Sequence, residues 1–373
     1  MTRTLANLDR LIGFDTVSAA SNLDLIAFVT DLLRGRGFRV ARVVDPTGTK
    51  AGLFACAGPE TGAGIVLSAH SDVVPAEGQA WTRPPFRLTQ EGDRLFGRGT
   101  TDMKGFLAAM LALAERTDAA RLQQPLMFSI SYDEEIGCVG MGHMIAAMPP
   151  GFGAARVAIV GEPTEMSVVT GHKGKLGYIA TARGEAGHSA LAPRYVNALY
   201  LAADFVQELR AIQKMLATSG ARDNAYSVPY STVHVGTLSG GTALNIVPDH
   251  AELRFELRHL PGDDRARIER LFDEAAGDGI TLEQTVAYPG LETDPGSDAT
   301  ALVQRLAATR TNGKVAFGTE AGLLAGQGID TLVCGPGSMA GQGHKPDEFV
   351  TTGQLAACDA MMDRVLAQLT GGG

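Results

Sequence analysis

The feature that most constrains this chain is a set of four short apolar runs, IVLSAH (65–70), LMFSISY (126–132), VAIVG (157–161) and TLVCG (331–335). Each is short and largely apolar, and it reads as a buried strand of a parallel sheet flanked by helices. Helical patterns lie between them. Leu25, Ile26, Val29, Leu32 and Leu33 follow the 3.6-residue period after Ser21 and Asn22, which can cap the helix, and the pattern stops at Gly35 and Gly37. A second helix is expected to open at Asp102 and run through FLAAMLALAER. Strand and helix alternate, which predicts an α/β fold with a mixed, largely parallel sheet.

From Gly177 the pattern changes. The order reads strand (YIATARG), helix (195–216), strand (STVHVGTLSG), strand (HAELRFELRH), helix (DDRARIERLFDEA) and strand (ITLEQTVAY). In HAELRFELRH, Ala251, Leu253, Phe255 and Leu257 share one face, while Glu252, Arg254, Glu256 and Arg258 share the other. The βαββαβ order predicts a ferredoxin-like α+β unit inserted into the first domain, whose sheet the TLVCG strand then rejoins. The expected division is a first domain over 1–175 and 288–373, interrupted by the insert over 176–287.

Composition narrows the partners. Lys+Arg total 32 against Asp+Glu 41, a net charge of −9, which argues against a nucleic-acid backbone as ligand because such binding needs clustered cations. No apolar run approaches the ~18 residues of a membrane span. Cys56, Cys138, Cys334 and Cys358 lie far apart with no CxxC pair, and are expected to be reduced thiols. Asp9 and Asp15 interrupt the stretch where a signal peptide would need an apolar core, so a cytoplasmic protein is expected. A small molecule becomes the expected ligand.

Acidic and histidine side chains gather just past the apolar runs. His70 and Asp72 follow IVLSA; Asp133, Glu134 and Glu135 follow LMFSISY; Glu162 follows VAIVG; His344 lies on a Gly-rich loop beyond TLVCG; Asp102 follows GRGTT. In an open parallel sheet ligands bind outside the carboxyl ends of the strands, so these groups should converge. Convergent carboxylates repel unless a cation compensates them, and two divalent metals would do so. Asp102, Glu135 and Glu162 with His70 and His344 make a nitrogen and oxygen donor set without sulfur, which suits zinc or a similar borderline ion. Neighbouring side chains in extended backbone point opposite ways, so one of Glu134 and Glu135 can hold metal while the other takes a proton from water. Asp72 is placed to orient His70. Plainer readings exist for each: a satisfied core histidine at His70, a helix cap at Asp102, a solvated acidic turn at 133–135, a turn residue at Glu162, and an exposed loop residue at His344. The remaining histidines, His143, His172, His234, His250 and His259, are expected to be structural, and Trp81 either anchors a loop or touches substrate.

Taken together the segments resemble the M20 peptidase/deacylase family. HSDVVP (70–75), GRGTTDMKG (97–105), DEEIG (133–137), GEPT (161–164) and GHKPDEF (343–349) are similar to its metal-binding segments, and AGHSA (186–190) with NIVPD (245–249) is similar to its lid-domain signature. QAWTRPPF (79–86), FGTEAGLL (317–324) and CGPGSMAGQGHKPDEF (334–349) are most similar to its acetylornithine deacetylase branch. The resemblance implies an amidohydrolase of arginine biosynthesis, with two Zn2+ or Co2+ ions, acting on N-acetyl-L-ornithine. It implies that Asp102 bridges the metals, that His70 and Glu162 complete one site and Glu135 and His344 the other, and that Glu134 is the general base. It further implies that the insert is a lid and dimerisation domain, that His188 stabilises an oxyanion in the partner of a homodimer, that Asn245 and Arg258 hold the substrate carboxylate, and that the Asp102–Met103 peptide is cis. Arg258 has a plainer reading as decoration of the wet face of its strand. Glu320, in the TEAG segment, would either pair with the δ-ammonium of ornithine or serve as a helix-start carboxylate.

Sister activities share the same centre, namely succinyl-diaminopimelate desuccinylase, aminoacylase and carboxypeptidase, and a non-catalytic metal-binding module is the alternative of another class. GPGSMA (335–340) satisfies a loose G-x-G-x-x-[G/A] nucleotide pattern, but Pro336 sits inside the turn and too little chain follows for a nucleotide-binding half. The chain has no GxSxG, Walker A or HExxH motif.

Overall fold

A computed structural model describes residues 2–371. The described residues form two compact units, one built from 2–171, 291–314 and 319–371, the other from 172–290 with 315–318.

The apolar runs become the middle of the sheet in the first unit. Leu126–Ser131, Ile65–His70, Val157–Val160 and Thr331–Val333 lie side by side in that order, all parallel, and every residue in them is buried. Antiparallel strands extend the sheet on both sides. Arg39–Val44 and Ala51–Ala57 form a hairpin whose second strand pairs with Leu126–Ser131, and Val168–His172 continues beyond Thr331–Val333. The helix Lys104–Arg116 is buried at every residue from Lys104 to Ala114, and its alanines let neighbouring helices approach closely. Phe106, Leu107 and Met110 share one continuous core with Leu8, Leu11 and Ile12 of the helix Arg3–Ile12, Leu355, Met361 and Val365 of Thr352–Leu369, and the strand residues Leu67, Phe128 and Ile159.

Two local expectations are corrected. The helix expected from Asp102 begins at Lys104, with Met103 as its cap residue, because Asp102 belongs to the preceding turn, where the carboxylate of Glu348 takes its backbone N–H. Asn22 precedes the helix Leu23–Gly35 without capping it; its side-chain amide bridges both the N–H and the carbonyl of Ala51 and also reaches Ser71.

The second unit is a four-stranded antiparallel sheet in the order Thr232–Gly240, His250–His259, Gly174–Arg183, Ile280–Tyr288. With the helices Ala198–Ser219 and Arg265–Ala276 this is the βαββαβ arrangement of a ferredoxin-like fold. The first of those helices starts three residues later than 195, where the side chain of Asn197 accepts from Leu199 N–H and caps it. His250–His259 alternates as its sequence requires. Phe255 stacks on Tyr178 at 5.0 Å and meets the rings of Phe205 and Phe272 edge-on at 5.6 and 5.2 Å. On the opposite face Glu256 pairs with Arg258 at 3.0 Å and Lys175 at 3.1 Å.

Phe255 therefore sits at the centre of that unit's core. We predict that Phe255→Ala lowers stability by about 3–5 kcal/mol, the usual range for a buried aromatic truncated to alanine. The measurement is the midpoint of the first urea transition followed by far-UV circular dichroism, and an unchanged midpoint would contradict this packing.

Candidate metal centre

The four central strands are parallel, so their carboxyl ends share one edge, and the chemistry collects there. His70 is the last residue of its strand, Glu134 and Glu135 lie three and four residues beyond Ser131, and Glu162 lies two beyond Val160. The Asp102 turn and the loop carrying His344 complete the group. The Asp102–Met103 peptide is cis, and His344 adopts a left-handed φ of 58°.

Asp102 stands between two clusters. Its Oδ1 is 3.0 Å from His70 Nε2, which also lies 3.7 Å from Glu162 Oε1. Its Oδ2 is 3.2 Å from His344 Nε2, which lies 3.0 Å from Glu135 Oε2. In each set, His70 with Asp102 and Glu162, and Asp102 with Glu135 and His344, the candidate ligand atoms all lie within 4.8 Å of one another. All these side chains except His344 are buried; that imidazole is 45% exposed.

Such crowding perturbs every titration. Burial would raise the Asp102 carboxyl, but hydrogen bonds with His344 and His70 hold it well below the usual carboxylate range. Burial raises Glu162 well above its ordinary value, and the Asp102 charge adds to that. Burial and the charge of Asp102 push Glu135 up to about 7. Glu134 is raised well above its ordinary value by burial, with the charges of Glu135, Glu320 and Asp102 adding and that of His70 opposing. Burial would lower His70, yet bonds to Asp102 and Asp72 carry it well above the ordinary imidazole value, and bonds to Asp102 and Glu135 carry His344 to about 10. These carboxylates seek positive charge, and five nitrogen and oxygen side chains converge as two sets sharing one carboxylate. That donor set fits two divalent cations.

Supporting contacts fix the donors. His70 Nδ1 donates to the Asp72 carbonyl at 2.9 Å, which leaves Nε2, facing Asp102 and Glu162, as the ring's metal-binding nitrogen. The Asp72 carboxylate, 3.5 Å from the same ring nitrogen, accepts from the backbone N–H groups of Glu134 and Glu135 at 3.1 and 3.3 Å and from Ser18 Oγ at 2.7 Å. Asp72 thus orients the imidazole mainly through its backbone, while its side chain anchors the acidic turn. Asp133 enters that turn at φ 54° and pairs with Lys50 Nζ at 2.5 Å, and the Cys138 thiol donates to Glu134 Oε1 at 3.4 Å. Ser18, Lys50 and Cys138 carry no sequence signal that links them to this turn. Each reaches it through tertiary folding or through the reversal at Gly137.

Other expected residues lie elsewhere in the fold. Glu320 is 1% exposed, its Oε1 has no hydrogen-bond partner, and burial raises it to about 7. In the second unit, His188 pairs with Ile246 in a two-residue ladder, and the Asn245 carbonyl accepts from Ser189 N–H at 3.1 Å, so His188 and Asn245 are neighbours. His188 Nδ1 accepts from Ala190 N–H at 3.1 Å, which places the proton of the neutral ring on Nε2. The Arg258 guanidinium binds Glu256 through Nε and one terminal nitrogen, at 3.0 and 3.4 Å, and Tyr288 OH through the other at 3.0 Å. Trp81 anchors a loop, donating to Gln79 Oε1 at 3.1 Å beneath the Arg98 guanidinium. In the GPGSMA segment the carbonyls of Gly335 and Gly337 accept from the backbone of 164–166, which ties this loop to the one following Glu162.

Comparisons with known proteins show the family. Residues 66–368 match peptidase family M20/M25/M40. The chain is 34% identical to an acetylornithine deacetylase from Myxococcus xanthus, covering 98% of this chain and 97% of that protein. It is 33% identical to an acetylornithine deacetylase from Salmonella heidelberg, covering 92% and 91%. Its fold matches an M20 family metallo-carboxypeptidase from Sulfolobus solfataricus with a TM-score of 0.80 over 99% of both chains, at 19% identity. This chain belongs to peptidase family M20/M25/M40, and it is a metal-dependent hydrolase. Among the described residues no helix is long and apolar enough to cross a membrane.

The shifts have a consequence for the metal-free protein. A group whose folded-state pKa is raised contributes stability while it is protonated in both states, and that contribution is lost as pH rises through the folded value. Glu135 and Glu320 lose theirs between about 4.5 and about 7, and His344 loses its own between about 6.5 and about 10. The depressed Asp102 acts only below its ordinary value of 3.8, outside this window, while His172, lowered to about 4 by burial, and Lys104, lowered to about 7 by burial, offset part of the loss. We predict that the thermal midpoint of chelator-stripped protein falls from pH 5 to pH 8, and that added Zn2+ raises it more at pH 8. A midpoint that rises over that range in stripped protein would contradict the charge balance described.

Proposed function

We propose that this chain is a dinuclear metal amidohydrolase that converts N2-acetyl-L-ornithine to L-ornithine and acetate. The observation that carries the dinuclear reading is the Asp102 carboxylate, whose two oxygens face separate histidine and glutamate sets. The substrate is supported by similarity to two acetylornithine deacetylases over nearly the whole chain.

Zn2+ or Co2+ held by His70, Asp102 and Glu162 and by Asp102, Glu135 and His344 would supply Lewis acidity toward the amide carbonyl and the attacking water. Glu134 belongs to neither set and is free to act as the base. It takes the proton from the attacking water and passes it to the leaving amine nitrogen, with its Oε1 held by the Cys138 thiol. His188 presents Nε2–H as a donor for the oxyanion, and Asn245 beside it binds the substrate carboxylate. Three of the five Arg258 N–H donors are engaged by Glu256 and Tyr288, which leaves two for the same carboxylate. Glu320 offers its unpartnered oxygen to the δ-ammonium. The active form is a homodimer in which His188 serves a second copy of the chain, and a monomeric active form by sedimentation would overturn that assignment.

The test is amine release from N-acetyl-L-ornithine beside N-succinyl-diaminopimelate and N-acetyl-methionine, in stripped and Zn2+-restored protein. Zinc-dependent turnover favouring acetylornithine is expected, whereas preference for another amide would move the substrate to a sister activity. No turnover of any of the three in metal-replete protein would leave a binding module. We predict that Glu134→Gln lowers kcat by about 10²–10⁴-fold with metal content unchanged. We also predict that Glu320→Gln erodes the preference for acetylornithine over acetylated neutral amino acids, and an unchanged preference would remove Glu320 from substrate recognition.

A further inference from the structure

The buried pair Arg98–Glu348 joins the two segments that carry Asp102 and His344. Both side chains are fully buried, and Arg98 Nη1 donates to Glu348 Oε2 at 2.7 Å. The same oxygen accepts from Gly99 N–H at 3.0 Å, while Oε1 accepts from Thr101 and Asp102 N–H at 2.9 and 3.1 Å. One carboxylate therefore takes three backbone donors from the turn that ends at Asp102, and with Arg98 its four lone-pair positions are filled. The turn cannot move without breaking charge-assisted bonds in a buried site.

The other half of the arrangement reaches His344. Glu348 lies four residues after it, its carbonyl accepts from Gly97 N–H at 2.9 Å, and the strand Phe349–Thr351 pairs with Arg94–Phe96. Arg98 Nη1 also approaches the Lys345 carbonyl at 3.4 Å, while Nη2 donates to the Pro75 carbonyl at 3.2 Å and to Gln79 Oε1 at 2.5 Å. Gln79 Nε2 in turn donates to the His344 carbonyl at 3.3 Å. Main chain before Asp102, after His70, and at and after His344 is thus tied to one buried ion pair.

We propose that Glu348 and Arg98 are positioning residues of the metal centre, setting the distance between Asp102 and His344 and hence the geometry of the set those two share with Glu135. The proposal rests on the dinuclear reading. It predicts unequal damage. His70 ends a buried strand and Glu162 follows one, so the sheet holds them whether or not the clamp is intact, whereas His344 sits on an exposed loop that depends on it.

The test uses stripped full-length protein titrated with Co2+, followed by visible absorption and by competition with a chelator. Wild type is expected to bind two ions per chain. In Glu348→Gln an amide N–H2 faces backbone or guanidinium donors, so the weaker-bound ion should lose about 10–100-fold in affinity, the usual effect of removing a supporting contact, with an altered cobalt spectrum. The other ion should change less. Arg98→Lys, which keeps the charge and loses the fork, and Gln79→Leu, which cuts only the link to His344, should shift the same ion, and they carry the test where Glu348→Gln does not fold. Two ions bound in every folded variant with wild-type affinity and spectrum would overturn the proposal. A lowered thermal midpoint of stripped protein with unchanged metal binding would do so as well, because it would mark the pair as structural only. Fewer than two ions in wild type would instead overturn the dinuclear reading.

Discussion

Negative charge gathered at one edge of a parallel sheet is the constraint on which the rest of this structure depends. Asp102, Glu134, Glu135 and Glu162 lie close enough to perturb one another, and all are withdrawn from water. Burying charges together is costly unless they are compensated, so the fold is shaped around groups able to share cations. Asp102 has two oxygens and a histidine on each, which turns a repulsive cluster into a pair of binding sets.

Holding such groups in place falls largely to backbone N–H donors and to missing side chains. Asp72 gathers the amides of Glu134 and Glu135, and Glu348 gathers those of Gly99, Thr101 and Asp102. Glycines permit the close approach of the strand ends. A Cβ on Gly335 would lie 2.0 Å from the Gly161 carbonyl oxygen, and one on Gly161 would lie 2.0 Å from the Phe106 ring. The loops after the 157–160 and 331–333 strands can therefore cross in contact, which puts Glu162 and the start of the His344 loop over one edge.

Legibility in the sequence followed the type of signal. The run IVLSAH is read as a buried strand because it is short and largely apolar, and it folds as Ile65–His70. HAELRFELRH shows its two faces directly and folds with Phe255 in the core and Glu256 outside. Asn22 looked like a cap because its type and place fit one; its amide instead found Ala51, a partner 29 positions away. Asp102 looked like a helix start because a turn that is held by a distant carboxylate has no local signature. Glu348 follows another acid in PDEF with no local pattern that marks it as buried, yet it is fully buried beside Arg98.

The sequence by itself determined the elements and the identity of the chemical groups. Hydrophobic periodicity is local, and acidic and histidine residues placed just after strands must meet wherever those strands run parallel. Only the tertiary structure decided how the groups are shared: which oxygen of Asp102 faces which histidine, that the Asp72 side chain holds a turn while its backbone holds a ring, and that one buried ion pair ties Asp102 to the His344 loop. Those facts depend on contacts between residues up to 250 positions apart. Their geometry is set by the packing of the sheet and helices between them, and no local pattern in the chain encodes it.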